Sequence, residues 1–184
     1  LHLCNRNLVK MDTNNYSKAK HDLLLDVCMA AYYEGDSIKT HYTIHEATYG
    51  DSASQLCTVL ARSFADIGDI IRGRDLYRGD NREKTKLEKK LKEIFKNIYD
   101  NLVREKPQAK KRYGSDKENF FKLREDWWTA NRAKVWEAIT CKAEQNDKYF
   151  RDACSEGKTA TPNKCRCASG NVLTNFDYVP QFLR

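Results

Sequence analysis

Apolar residues recur at intervals of three and four along most of this 184-residue chain, with polar residues filling the positions between them. That spacing is the signature of amphipathic helices. Leu23, Leu24, Val27, Cys28 and Ala31 share one face of a helix predicted over 16–31, which Gly35 is expected to end. A linker containing Ser37, Thr40 and Thr43 follows. Leu56, Leu60, Phe64, Ile67 and Ile71 make the buried stripe of a second helix, which starts at Ile44 or after a break at Gly50 and runs to Arg72. Leu87, Leu91, Ile94, Ile98 and Leu102, widened by Phe95, form a third stripe that Pro107 stops. The segment QAKKRYGSD reads as a basic loop. SDKE then fits a capping box that opens a helix from Ser115 or Asp116 to about Asn146. After Tyr149 the chain turns loop-like and cysteine-dense. Alternating strand patterns are short and scattered, and no repeat of twenty to fifty residues is evident. The expected class is all-α: a disulfide-linked helical bundle with long loops.

All three tryptophans fall in WWTANRAKVW. On a helix, Trp127 and Trp128 are about 100° apart, Trp136 lies near Trp128, and Trp127 is roughly opposite Trp136. Phe120 and Phe121 share the faces of Trp127 and Trp128, while Val135 and Ile139 extend the Trp128 side. An exposed stacking platform gathers its aromatics on one face beside basic groups. Here the arc is too wide, and only Arg132 and Lys134 interleave. Trp128 and Trp136 are therefore assigned to the core with Phe64, and Trp127 to a second interface of the same helix.

Charge changes the picture at one place. The formal net charge is +7, and the segment from Arg82 to Arg112 carries 12 Lys+Arg against 5 Asp+Glu, so it holds the whole excess. Lys86, Lys89, Lys92 and Lys96 line up on the outer face of the third helix, and Lys110, Lys111 and Arg112 follow. A linear polyanion is a natural partner for such a row. A solvated helix face is the competing reading, because Glu88 and Glu93 lie within i,i+4 reach of lysines.

Seven cysteines, Cys4, Cys28, Cys57, Cys141, Cys154, Cys165 and Cys167, suit an oxidising compartment with several disulfides. The number is odd, so one thiol is free or its partner lies outside the chain. Cys165-Arg166-Cys167 is poorly spaced for zinc and reads as two staples to different partners. His41 and His45 lack the H-E-x-x-H order and a third ligand, so they read as surface histidines and not as a metal site. Asp66 with Asp69, and Glu125 with Asp126, stand beside arginines or lysines and read as ion pairs. No nucleophile elbow, phosphate loop or other enzyme signature is present. No catalytic residue, metal or cofactor is assigned. The longest apolar run is too short to span a bilayer, so direct membrane insertion is not expected. Nucleic-acid binding agrees with the charge but not with the cysteine density. The chain reads as a piece of a larger secreted or surface-exposed protein.

In order, the blocks LHLCNRNL, HDLLLDVCMAAYYEG, LCTVLARSFADIGDIIRGRDLY, WWTANRAKVWEAITC, KCRC and FDYVPQFLR resemble the Duffy-binding-like domain, alpha class, of the variant erythrocyte membrane protein adhesins of malaria parasites. The resemblance covers nearly the whole chain. It implies a helical, disulfide-linked adhesion module, without catalysis, on the outer surface of the infected red cell. It further implies part of a membrane-anchored antigen subject to antigenic variation and met by antibodies. Alpha-class domains are associated with rosetting, and their ligand classes include heparan sulfate-type glycans, complement receptor 1 and blood-group sugars. The implied organisation is the end of a first subdomain with the first helix over 1–43 and a central helix-bundle subdomain over 44–184. A complete family domain extends further at both ends. The shared blocks build scaffold, so no ligand residue is carried over from them. The expected function is adhesion to a host cell-surface receptor or sulfated glycan through the lysine row and the KKR segment. The alternative is a scaffold that displays variable loops while neighbouring domains of the same adhesin make the contacts.

Overall fold

A computed structural model describes residues 18–49, 54–75 and 81–184. Its helices are α1 (Ala19–Tyr49), α2 (Ser54–Arg72), α3 (Asn81–Glu105), the short α4 (Ala109–Tyr113) and α5 (Phe121–Ile139). Single 3-10 turns lie at Gly114–Asp116, Phe176–Tyr178 and Gln181–Leu183. Among the described residues no strand forms; Cys154 with Thr159 and Asn163 with Arg166 make isolated bridges. The fold is the expected all-α, disulfide-linked bundle.

α5 is the central helix, packed against α1, α2 and α3. Phe64 of α2 sits between Trp128 and Trp136, at ring-centroid distances of 5.1 and 5.2 Å. Trp127 points the other way and meets the edge of Phe95 on α3 at 6.1 Å. All three tryptophans are buried. The Trp136 indole donates to the carbonyl of Cys165, and that of Trp128 to Asp177. The wide aromatic arc is thus a helix enclosed on three sides. Gly68 makes room for it: a Cβ there would lie 2.8 Å from the Trp128 ring.

Four local expectations are corrected. α1 does not stop at Gly35 but continues through Thr40 and Thr43. Gly35 serves close approach instead, since a Cβ would stand 2.0 Å from the Ile139 carbonyl oxygen of α5. The Thr40 and Thr43 hydroxyls bond back to the carbonyls of Asp36 and Lys39, which lets threonine sit within the helix. The supposed linker is therefore helix, and Thr43 and Ile44 lie inside it. The basic loop contains a five-residue helix, α4. α5 starts later than SDKE predicts, after Phe120 in a left-handed conformation (φ 57°), while the Asp116 carboxylate accepts from the Lys122 amide instead of capping at the expected place. It also ends early, at Ile139, where Arg166 donates to the Thr140 hydroxyl and the Glu137 carbonyl and so satisfies the helix end.

The C-terminal quarter has little regular structure and is held by covalent and ionic ties. Cys57 on α2 pairs with Cys165, and Cys154 with Cys167. The C-x-C cysteines thus do staple the loop to two different places, with Arg166 capping α5 between them. Cys28 and Cys141, counted among the disulfide candidates, carry free thiols instead. Cys28 is half-buried on α1 near Lys134 and Glu137, and burial raises its thiol pKa; Cys141 is exposed just past α5. Neither meets another cysteine among the described residues. Cys4 lies outside the described residues, as does the side chain of His45; His41 is exposed on α1.

Candidate functional site

α3 exists because its apolar stripe has a place to go. Leu87, Leu91, Ile94, Phe95 and Ile98 are buried, and Pro107 follows two residues after its end. Burying that stripe turns Lys86, Lys89 and Lys96 to solvent, with Lys92 half-buried at the margin. From Lys86 to Lys96 the row runs about 15 Å along the helix axis. None of these four lysines forms an ion pair with another described residue.

Glu88 decides whether the row is internally neutralised. It turns inward, where both its oxygens accept from the buried Arg124 guanidinium at 2.7 and 2.9 Å. The same guanidinium donates to the carbonyls of Ile71 and Ile70, at 2.6 and 3.1 Å. Those carbonyls end α2, whose last turn closes at Gly73 (φ 72°) with Arg74 donating to Asp69. Arg124 therefore joins three helices, and Glu88 is withdrawn from the lysines. Glu93 and Asp100 remain exposed on the outer side of α3, so the row keeps a positive surplus.

The KKR segment is brought against the same helix. After Pro107 the chain reverses, Ala109 is buried, and α4 packs on α3. A Cβ at Gly114 would lie 3.6 Å from the Tyr99 hydroxyl, which places this turn beside the part of α3 just beyond Lys96. Lys110 and Lys111 are exposed and form no ion pair with a described residue. Arg112 is different: its Nε and a terminal nitrogen donate to Asp126 Oδ2 at 2.9 and 2.7 Å. Tyr113 donates to the same oxygen at 2.6 Å. Partial burial pushes the Asp126 carboxyl up, but donation by Tyr113 and Arg112 outweighs it and leaves the group below its ordinary value. Lys117, which the sequence pattern did not single out, holds its ammonium 5.6 Å from the Tyr99 ring and adds a cation to this edge. Its neighbours Asp116 and Glu118 outnumber it and hide it in a sequence scan.

A second polar cluster lies at the far side of α5. Asp177 is buried; its carboxylate accepts from Arg132 at 2.7 and 2.8 Å and from Trp128 at 2.9 Å. Arg72 donates to the Asp177 carbonyl and to Asp69, and burial lowers the pKa of its guanidinium. Arg184 meets Asp69 and Asp66. The carboxylates flagged in the sequence are therefore members of ion pairs. Among the described residues no group of His, Cys, Asp or Glu could hold a metal, and no helix is long and apolar enough to cross a membrane.

The Duffy binding domain family model matches residues 1–184. Among solved structures, the NTS-DBL1-alpha and CIDR-gamma double domain of PfEMP1 from the Plasmodium falciparum varO strain is 42% identical. It covers 99% of this chain and 25% of that one, with a TM-score of 0.81. The ICAM-1-binding PfEMP1 DBLbeta domain is 34% identical, covering 100% of this chain and 39% of its own, with a TM-score of 0.73. A structure of that kind of domain bound to ICAM-1 is 31% identical, with coverages of 99% and 40% and a TM-score of 0.72. The chain thus spans a quarter to two-fifths of the structures it resembles. No curated protein matches it.

Proposed function

The chain belongs to the Duffy-binding domain family, and on that premise we propose that it is a host-cell adhesion module of a variant antigen on the infected erythrocyte surface. Its partner is a host receptor or sulfated glycan, met along the exposed edge of α3 and α4. The observation that carries this reading is the pairing of Glu88 with Arg124, which takes one nearby carboxylate away from the lysine row while Glu93 stays on it, so the row keeps a positive surplus. The DBLbeta neighbour is described as binding ICAM-1. A row of lysines facing water offers little to an apolar surface and much to sulfates or carboxylates. Nothing in the site calls for catalysis.

The test is heparin binding across a salt series. Affinity should fall steeply with ionic strength, as it does wherever cations displace the counterions of a polyanion. Reversing Lys89, Lys92 and Lys96 to glutamate should weaken it. Unchanged binding after that triple reversal would remove α3 from the site.

One observation favours a second reading, in which this part is scaffold. The tryptophan block and the LCTVLARSFADIGDIIR block are largely buried, and the chain covers only part of each neighbour. Binding to host glycans by a longer domain but not by this chain would support it.

A further inference from the structure

The α4 helix is too short to hold its shape alone. Five residues make little more than one turn, and nucleating a helix costs more than one turn returns. Two anchors hold it. Ala109 is buried at its start, and at its end Tyr113 and Arg112 both donate to one oxygen of Asp126 on α5. Between these anchors Lys110 and Lys111 face solvent. Arg112, though exposed, is committed to Asp126 and is not free to meet a ligand without giving up that pair.

We propose that Asp126 is a positioning residue for polyanion binding: it fixes α4 so that Lys110 and Lys111 extend the α3 lysine row beyond Lys96. This rests on the reading of that row as the ligand edge. It yields an outcome opposite in sign to simple electrostatics. Asp126→Asn raises the net charge by one and releases Arg112, so a binding edge governed by charge alone would hold a polyanion more tightly. Under the positioning role the same substitution loosens α4 and weakens binding.

The experiment measures binding of a size-defined heparin oligosaccharide to the whole chain at fixed ionic strength. Asp126→Asn should weaken binding about fivefold, the scale of one lysine contact to an anionic surface. Asp126→Glu should retain the pair and bind within about twofold of the parent. In a Lys110→Ala/Lys111→Ala background, Asp126→Asn should have no further weakening effect, because the groups it positions are gone. All three partners border water, so far-UV circular dichroism and the thermal midpoint should stay near the parent values, which separates positioning from a folding defect. Equal or tighter binding by Asp126→Asn overturns the proposal. If the triple reversal on α3 weakens binding while Asp126→Asn does not, the positioning role alone fails. If the triple reversal is also silent, the ligand edge itself is wrong and the proposal falls with it.

Discussion

Glu88 and Lys89 are adjacent on α3 and meet different surroundings. Behind Glu88 stands Arg124, buried, with donors on a carboxylate and on two carbonyls that end α2. In front of it Lys89 faces water with no described counter-ion. Other arginines make ties of the same kind, and Lys39, paired with Glu144 and Asp147, is a lysine that does so too. Arg124 closes α2, Arg166 closes α5, and Arg132 holds the C-terminal turn through Asp177 and the Thr174 carbonyl. Lysine, by comparison, lines the outside of α3 and α4. A guanidinium has a planar fork of donors and is weakly hydrated, so it can be buried against several acceptors at once. An ammonium is a hydrated point charge and is cheaper to leave in solvent. The two regions therefore divide one kind of charge between holding the fold and facing solvent.

That division is open to attack from the structural side first. The Cys57–Cys165 bond closes a separation of 108 residues, against 13 for Cys154–Cys167. On the chain-entropy account, replacing Cys57 and Cys165 with alanine should cost about 4–5 kcal/mol, some ~2 kcal/mol more than the same change at Cys154 and Cys167. Urea unfolding of both double variants measures the difference. Equal losses would mean that the C-terminal quarter is held by its arginine ties more than by its covalent link to α2.

Arg124→Met tests the ties directly. It keeps most of the side-chain stem but strips the Ile70 and Ile71 carbonyls and Glu88 of their donor. A loss of about 3 kcal/mol is expected in the same urea experiment. It should also weaken heparin retention in the folded protein, because Glu88 becomes free to face its lysine neighbours. Loss of stability with full retention would show that the position of Glu88 does not matter to the ligand edge. Gly35→Ala comes next, at about 2–3 kcal/mol, since the added methyl would meet the backbone of Ile139. The nearest atoms to that methyl belong to Ile139 and not to the lysine row, so retention by the folded fraction should not change.

How much of this was readable in the sequence follows the same line. The apolar stripes of α2 and α3 are periodic and uninterrupted, and both helices appeared where expected. The tryptophan geometry followed from the helical angle alone. Gly35 misled because a glycine that ends a helix and one that admits a neighbouring backbone look alike in sequence; only the position of Ile139 tells them apart. Thr40 and Thr43 misled because their helix penalty is offset locally by hydroxyl bonds to Asp36 and Lys39. Arg124 was invisible as a buried charge, since its carboxylate partner Glu88 lies 36 residues away, and Arg72 showed only its neighbour Asp69, its contact with Asp177 lying 105 residues away. The lysine row was legible as a pattern. What was not legible was the direction of Glu88, and that orientation separates an internally paired helix face from one that keeps its charge.

The smallest expected stability effect discriminates most sharply. Lys86, Lys89, Lys92 and Lys96 are spaced at three and four residues, where like charges repel on a helix by roughly 0.2–0.5 kcal/mol per pair, offset in part by Glu93 and Asp100. Replacing Lys89, Lys92 and Lys96 with glutamine should therefore leave the unfolding free energy unchanged to within about 0.5 kcal/mol, or raise it slightly. Heparin retention should fall in the same variant. If the row were there to stabilise α3, stability would drop and retention would follow it. A line of mutually repelling cations that can be removed without structural loss is not what holds α3 in place. Stability and retention moving in opposite directions would place the use of that line on the ligand side of the division.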